Sequence, residues 1–227
     1  MKIGIISAVE NEIAPFLAAM EEESVRVKAR LEIHEGKLGA VEAAALCCGV
    51  CKVNAAMAAQ VLIDHCAVDV IINAGTAGGM DERLGIFDTA VCTEVVYHDV
   101  DPAMLQNYHP HFDTVVFKSD AGLLESSHAA AAKLKREGKV YWGRMATGES
   151  FITDEGRPEI NARFAPLSVD METAAIAHVC RLNEVPFIAV RSITDTADHS
   201  GFGSFEENCV TASVVTRDFV LAMLSEL

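Results

Sequence analysis

The chain has 227 residues, is 51% hydrophobic and carries a formal net charge of −15. This length fits one α/β domain or two small ones, and the apolar content is enough for a large core. A chain this acidic repels nucleic acid and anionic membranes, so we expect neither as a partner. No apolar run reaches the roughly 18–20 residues of a membrane span. The first strand-like run is also too short for the apolar region of a signal peptide, and we therefore expect a cytoplasmic protein.

Hydrophobic patterning predicts alternating strands and helices along the chain. Strands are predicted at residues 2–7, 25–35, 41–47, 68–73, 89–97, 139–147, 165–169 and 185–190. Helices are predicted at residues 10–22, 52–65, 120–136, 155–164, 173–180 and 204–224. A turn at residues 36–39 is expected to join the second and third strands as a hairpin. The pattern indicates a single α/β domain over residues 1–227, a three-layer sandwich with a central mixed β-sheet flanked by helices.

The cysteines and histidines are not expected to bind a metal. Seven cysteines, an odd number, lie in apolar surroundings, which is typical of buried thiols in a reducing compartment. Three of them fall within residues 47–51, but no second Cys/His cluster at ligand spacing accompanies them. His98, His109 and His111 are interpreted as solvated loop histidines. We expect no cofactor either.

Charged and polar residues follow four of the predicted strands. Glu12 lies in the first helical turn after the first strand, and Thr76 lies in a glycine-rich segment after a later one. Glu172, Arg191 and Asp195 follow two further strands. Ligands of α/β sheets bind at the carboxyl ends of strands, so these side chains are expected to converge. A single carboxylate there would be interpreted as a helix cap or a solvated ion pair, but three charged groups at neighbouring strand ends favour a polar-ligand site.

This set of groups suits the cleavage of a glycosidic bond. One carboxyl group can protonate the leaving group while a second activates water. A third can accept both hydrogen bonds of a vicinal diol. No Ser–His or Cys–His pairing stands beside them, and the glycine-rich segment lacks the spacing of a dinucleotide fingerprint or a P-loop.

Five segments carry a resemblance to a known family. In chain order they are KIGIISAVENE at residues 2–12, IINAGTAGG at 71–79, ATGESFI at 146–152, VDMETAAIA at 169–177 and VRSITDTAD at 190–198. Together they resemble the 5′-methylthioadenosine/S-adenosylhomocysteine nucleosidases of the purine nucleoside phosphorylase-like superfamily. The resemblance implies a nucleoside phosphorylase-like fold, a nucleoside substrate, a homodimer and a role in methionine salvage. It also implies hydrolysis of 5′-thio-substituted adenosines to adenine and the thioribose.

The resemblance also implies roles by position. Glu12 would be the general base that activates water, with Thr76 and Arg191 holding that water. Asp195 would protonate adenine at N7, and Glu172 would accept the ribose hydroxyls. The other substrate contacts would be Met171 on the sugar, Phe151 and Ile152 on adenine, Val9, Val50 and Phe205 along the 5′-alkylthio pocket, and Gly78 and Thr194.

Two stretches depart from the family's pattern. Cys51 stands where the family usually has glycine, and a cysteine is costly there if the turn requires a positive φ. Residues 99–118 lack the aromatic, Gly- and Pro-rich segment that reaches the partner's site in the family. Met104, Leu105 and Tyr108 are the candidates to replace that contact.

Other functions stay open on the sequence. A phosphorylase would use phosphate as its nucleophile, but Glu10 and Glu12 repel an anion and Arg191 is the one clear cation at the site. A nucleoside-binding or sensor domain without turnover is less favoured, because all the acid and base groups are present. The pattern fits 5′-methylthioadenosine, S-adenosylhomocysteine, 5′-deoxyadenosine and futalosine-like nucleosides equally.

Overall fold

The structure, a computed structural model, describes residues 1–108, 114–134, 138–199 and 201–227, which form ten strands and seven helices. The strands are β1 (Lys2–Ser7), β2 (Glu21–Lys28), β3 (Leu31–Leu38), β4 (Val41–Cys47), β5 (Val70–Gly79), β6 (Thr89–Tyr97), β7 (Phe117–Lys118), β8 (Val140–Thr147), β9 (Ser168–Asp170) and β10 (Phe187–Asp195). The helices are α1 (Glu10–Ala19), α2 (Lys52–Cys66), α3 (Pro102–Tyr108), α4 (Ala121–Lys133), α5 (Arg157–Phe164), α6 (Thr173–Leu182) and α7 (Phe202–Leu224).

All the strands just named belong to one mixed sheet. Its order is β10-β6-β8-β9-β5-β1-β4-β3-β2, with β7 beside β6. The strand β10 also pairs with β5, so β5, β10, β6, β8 and β9 close into a ring from which β1, β4, β3 and β2 extend. Within the ring, β5 runs parallel to β10 and antiparallel to β9. The ring places the C-terminal end of β5 beside both β9 and the C-terminal end of β10.

Helices cover both faces of the sheet, which confirms the predicted α/β sandwich. Helices α2 and α6 pack together on one face, and α1 and α4 pack against α7 on the other. The central strand β5 is buried on both faces: Ile71 belongs to the core on the α2 side and Ile72 to the core on the α7 side. Such a strand is a continuous apolar run in the sequence, as residues 70–72 are here.

The predicted hairpin into the strand at residues 41–47 is confirmed, but its turn is Gly39 and Ala40 rather than residues 36–39. The strand predicted at residues 25–35 is two strands, β2 and β3, joined by Ala29 and Arg30 with φ of 50° and 65°. Positive φ at both central residues is the conformation of a type I′ turn, whose twist matches that of the two strands in a hairpin. Gly36 lies inside β3, and the next turn is at Gly39, with φ of 61°. Ala and Arg are poor turn residues, so no local pattern marks the first turn.

Two strands run further than predicted. The strand β5 continues past Asn73 through the glycine-rich segment to Gly79, and β10 continues past Val190 to Asp195. Their register pairs Arg191 with Gly75. Glycine weakens a strand, which is why the pattern predicted a turn, but pairing to β10 satisfies the backbone here. The functional candidates of β5 and β10 therefore lie on hydrogen-bonded neighbouring strands.

The segment that departs from the family's pattern contains helix α3. Leu105 packs against the core, whereas Met104 is 57% exposed and Tyr108 is 77% exposed. His98 lies in the loop after β6, as predicted, but it is half-buried rather than solvated: its Nε2 is buried and lacks a hydrogen-bond partner among the described residues. Burial also lowers the pKa of His98. The predictions for His109 and His111 lie outside the described residues.

Within the described ranges, no helix is both long and apolar enough to cross a membrane.

Candidate active site

A cavity of about 320 Å³ opens where β5, β9 and β10 meet the start of α1. It is lined by every predicted site residue except Arg191: Val9, Glu12, Val50, Thr76, Gly78, Phe151, Ile152, Met171, Glu172, Thr194, Asp195 and Phe205. Arg191 is fully buried behind the wall. Side chains that lie far apart in the sequence thus line one cavity.

Glu12 is held by hydrogen bonds on both of its carboxylate oxygens. Its Oε2 accepts from the backbone N–H of Ala8 at 2.8 Å and from that of Val9 at 3.3 Å. Its Oε1 accepts from both the backbone N–H and the hydroxyl of Thr76, each at 2.7 Å. A carboxylate in the first turn that binds back to the helix start is a common cap, and here it also fixes the side chain at the cavity. Glu12 is 3% exposed.

Gly75 allows this arrangement, although the sequence alone did not single it out. A Cβ at that position would lie 2.7 Å from both Glu12 Oε1 and Arg191 Nη1. Real Cβ atoms do not approach heavy atoms so closely, so any larger residue would displace one of the two charged groups. The close approach of backbone to functional groups is a recognised use of glycine.

Arg191 supplies a positive charge behind the carboxylates. Its Nη2 donates to Asn73 Oδ1 at 2.6 Å and to Thr173 Oγ1 at 3.1 Å, and it lies 3.5 Å from Glu172 Oε2. Burial alone would lower the pKa of Arg191, but the surrounding carboxylates, led by that of Asp170, raise it above its ordinary value. The guanidinium therefore stays charged inside the protein.

Glu172 faces the cavity between this positive charge and the backbone of another loop. Its Oε1 accepts from the N–H of Cys51 at 3.0 Å, and the residue is 3% exposed. Burial raises the pKa of Glu172 to about 7, against the opposing effect of Arg191 and with a further contribution from Asp170. The sequence did not indicate the contact with Cys51, because a backbone donor carries no side-chain signature.

Asp170 was also missed by the sequence predictions. Its Oδ1 accepts from Thr147 Oγ1 at 2.7 Å and from the N–H groups of Glu172 and Thr173 at 3.1 and 2.9 Å. An aspartate that accepts from the first N–H groups of a helix is a capping arrangement, and it fixes the backbone that carries Glu172. The available signal was an Asp three residues before Thr173 at the start of an apolar helix.

The pKa of Glu172 predicts an unusual pH dependence of stability. Because its folded pKa lies above its unfolded value, the stability it contributes is present below about pH 4.5 and is lost as the pH rises through about 7. Glu172→Gln should therefore gain unfolding free energy relative to the wild type, on the order of 3 kcal/mol, between pH 5 and pH 8. Urea denaturation at several pH values measures this difference. Glu32→Gln, at an exposed position, serves as the control. If the stability difference between Glu172→Gln and the wild type did not depend on pH, the pKa of Glu172 would not be raised in the folded protein.

Asp195 lies at the end of β10 and is 1% exposed. Its Oδ2 accepts from Arg157 Nη2 at 2.8 Å, and its Oδ1 accepts from Thr194 Oγ1 at 3.1 Å. Burial raises the pKa of Asp195, and Arg157 opposes that rise. A Cβ on Gly78 would lie 3.0 Å from Oδ2, so this glycine leaves room for the carboxylate. Arg157 was not predicted from the sequence.

Aromatic rings form one wall of the cavity. The ring centroids of Phe151, Phe202 and Phe205 lie 5.6 to 6.3 Å apart. Phe202 also lines the cavity, although the sequence predictions did not include it. Apolar rings beside buried carboxylates are typical of a small-molecule site, in which a few polar groups orient a mostly apolar ligand.

Cys51 adopts the backbone conformation that a glycine would favour. Its φ of 87° and ψ of 159° lie in a region that side chains strain by roughly 1–3 kcal/mol. Cys51→Gly should remove that strain, partly offset by the greater freedom of glycine in the unfolded chain, and so raise stability by about 1 kcal/mol. Thermal unfolding should show a midpoint about 2–4 °C higher. Cys51→Ala, which removes the thiol but keeps Cβ, should show no such gain, and an equal gain in both variants would exclude backbone strain as the cause.

The cysteines carry no sign of a metal centre in the part of the chain that the structure covers. All seven are free; Cys47 and Cys51 are half-buried and the others are buried. No group of three or more His, Cys, Asp or Glu side chains among the described residues is arranged to hold a metal ion.

Known proteins resemble the chain in both sequence and structure. The family model described as "Phosphorylase superfamily" matches residues 2–225. A 5′-methylthioadenosine/S-adenosylhomocysteine nucleosidase of Geobacillus kaustophilus is 38% identical over 229 residues, which covers 99% of this chain and 97% of the relative.

Two solved structures superpose over the full length of the chain. A nucleosidase of the same name from Colwellia psychrerythraea, in complex with adenine, has a TM-score of 0.92 at 33% identity and is covered over 96% of its chain. One from Neisseria meningitidis, in complex with methylthio-immucillin-A, has a TM-score of 0.92 at 31% identity and 99% coverage. The chain thus belongs to the 5′-methylthioadenosine/S-adenosylhomocysteine nucleosidase family within the phosphorylase superfamily.

Proposed function

We propose that the chain hydrolyses the N-glycosidic bond of 5′-thio-substituted adenosines, with 5′-methylthioadenosine and S-adenosylhomocysteine as substrates, to give adenine and the thioribose. The observation that carries this proposal is the single cavity lined by Glu12, Glu172 and Asp195, each buried and each held by its own donors. Two carboxylates that act on opposite sides of one bond are what glycosidic hydrolysis requires.

Glu12 acts as the general base in this proposal. Its four hydrogen bonds fix the carboxylate at the cavity, where it takes a proton from a water that attacks the anomeric carbon. The hydroxyl of Thr76 borders the same space and helps to hold that water. Arg191 acts from behind the wall through its charge. As the base departs the sugar becomes cation-like, and the fixed carboxylates stabilise that charge without reorganising.

Asp195 acts as the general acid. Its raised pKa favours the protonated form that can donate to N7 of adenine. Protonation makes the base a better leaving group, so the bond between the sugar and N9 breaks with its electrons moving onto adenine. Glu172 accepts the hydrogen bonds of the two ribose hydroxyls and holds the sugar between the two reacting carboxyls.

The remaining lining residues recognise the ends of the substrate. Met171 packs on the sugar, and Phe151 stacks on adenine while the backbone of Ile152 binds the edge of the base. Gly78 and Thr194 border the base beside Asp195. Val9, Val50 and Phe205 form the pocket for the 5′-alkylthio group.

Hydrolysis is favoured over phosphorolysis because of the charges on the wall. Among the described residues that line the cavity there is no Lys or Arg, whereas four are Asp or Glu. A phosphate dianion would therefore meet carboxylates on the wall, while the nearest cations, Arg191 and Arg157, are already paired with those carboxylates. Adenine release from 5′-methylthioadenosine should proceed at the same rate with and without phosphate. If release required phosphate and produced a ribose 1-phosphate, the chain would be a phosphorylase, and tight binding without release would indicate a sensor.

We also propose that residues 1–227 form one catalytic domain that acts as a cytoplasmic homodimer in methionine salvage. Exposed apolar side chains support a second copy as partner: Val53 and Met57 on α2 are 78% and 38% exposed, and Met104 and Tyr108 on α3 are more than half exposed. Large exposed apolar side chains grouped on two helices are typical of an interaction surface. Light scattering at assay concentration should give twice the chain mass, and an active monomer would contradict the dimer.

A further inference from the structure

Arg157 is a buried cation that contacts the proposed general acid. It begins α5 and is 5% exposed. One Nη atom donates to Asp195 Oδ2 at 2.8 Å, and the other donates to the backbone carbonyl of Gly79 at the end of β5. The guanidinium therefore links helix α5 to β5 and β10, next to the proposed binding position of adenine.

Its surroundings do not look like those of a side chain that only fills space. A buried guanidinium carries a large desolvation cost unless it is paired. The Nε of Arg157 is buried and has no hydrogen-bond partner within the described ranges, and its distance to Asp154 Oδ1 is 3.7 Å. The chain thus keeps an imperfectly satisfied cation beside one particular carboxylate.

We propose that Arg157 is a positioning residue, which orients the carboxylate of Asp195 toward the cavity and determines the pH range in which Asp195 can act as the acid. This inference rests on the proposed function and adds to it a residue that does not line the cavity. Arg157 reaches the substrate only through Asp195.

The pairing acts on the proton-transfer step. Before the step Asp195 is protonated, and during it the proton passes to N7 while the sugar–N9 bond breaks and its electrons remain on the base. Asp195 is left as a carboxylate 2.8 Å from Arg157 Nη2. An adjacent cation stabilises the ionised form of an acid, so Arg157 makes this proton easier to give up.

Few other charged groups near Asp195 could stabilise its ionised form. Asp154, before α5, is the other charged group acting on it, and as an anion it has the opposite sign. Among the described residues, Asp195 also accepts a hydrogen bond from the neutral hydroxyl of Thr194. Glu172 must be ionised to bind the ribose hydroxyls, so loss of its proton increases activity, whereas loss of the proton of Asp195 stops the reaction.

The test is the pH profile of kcat/KM for adenine release from 5′-methylthioadenosine in four proteins: wild type, Arg157→Met, Arg157→Lys and the control Arg163→Met. Arg163 lies on the same helix but is about half exposed, so its substitution removes the same charge away from the site. Without Arg157 the acid holds its proton to higher pH, so the basic limb should move upward by about one pH unit or more. The rate on the plateau should fall about tenfold, because the acid is weaker and less well oriented. Arg157→Lys should move the limb in the same direction by less, and Arg163→Met should match the wild type.

An unmoved basic limb in Arg157→Met, with a rate reduced equally at every pH, would overturn the proposal and leave Arg157 a purely structural residue. If only Arg157→Lys folds, an unmoved limb in that variant would overturn the proposal in the same way. The carboxyl-carbon NMR titration of Asp195, assigned by comparison with Asp195→Asn, measures the shift without turnover. Failure of the wild type to release adenine would therefore count against the proposed function alone, whereas an Asp195 titration unchanged by substitution of Arg157 would count against this inference.

Discussion

Replacing Glu12 by Gln is expected to lower kcat for adenine release by about 10²–10⁴-fold, the usual contribution of a general base. An amide cannot take the proton of the attacking water, although its shape is nearly the same. Initial rates with 5′-methylthioadenosine, followed by the absorbance change on release of adenine, measure the loss. Glu10→Gln is the matched control, because Glu10 is an exposed carboxylate in the same helical turn and should retain wild-type turnover.

The loss in Glu12→Gln must be separated from an effect on folding. The two N–H groups that bind Glu12 Oε2 would face the NH₂ of a glutamine if its oxygen stays with Thr76. An unsatisfied buried donor costs roughly 1–3 kcal/mol, so the variant should also unfold more easily. Circular dichroism and adenine binding at the assay temperature show whether the measured protein is folded. A folded variant with turnover close to that of the wild type would exclude Glu12 as the base.

Much of the architecture follows from local patterns that the sequence shows directly. The apolar run before Asn73 predicts a strand buried on both faces, and the structure has one. The patterns fail where long-range pairing overrides local preference. Glycines 75, 78 and 79 predict a turn, yet they lie in a strand, because Gly75 and Gly78 pair with β10 and Gly79 pairs with β9. The missing side chains at Gly75 and Gly78 leave space for the Glu12, Arg191 and Asp195 side chains.

In the site, too, some residues could be predicted from local sequence patterns and others depend on tertiary packing. Carboxylates at strand ends could be recognised from their position, since strand ends converge by the geometry of the sheet. Arg157 could not be recognised in this way, because it lies 38 positions from Asp195 in a short helix whose placement depends on tertiary packing. The N–H of Cys51 was hidden for a different reason: a backbone donor has no residue type. Phe202 gave no local signal either, since an exposed aromatic residue at the start of a helix is ordinary.

Asp195→Asn is expected to reduce kcat by about 10²–10⁴-fold, because an asparagine cannot donate the proton that N7 needs. It also leaves the buried Arg157 without its anionic partner, so a loss of stability on the order of 3–5 kcal/mol accompanies the loss of rate. Asp218→Asn on α7 is the control: it removes an exposed ion pair with Arg217, so turnover should be unchanged and stability should fall by less than about 1 kcal/mol.

The pH profile separates the role of Asp195 in acid catalysis from its role in the buried ion pair. If Asp195 is the acid, the residual activity of Asp195→Asn should lack the basic limb of the wild-type profile, since no group remains whose deprotonation stops the reaction. The acidic limb should persist, because Glu172 must still ionise. A variant that kept both limbs at a uniformly lower rate would show that another group supplies the proton. In that case the pair with Arg157 would serve only to hold α5 against the strand ends.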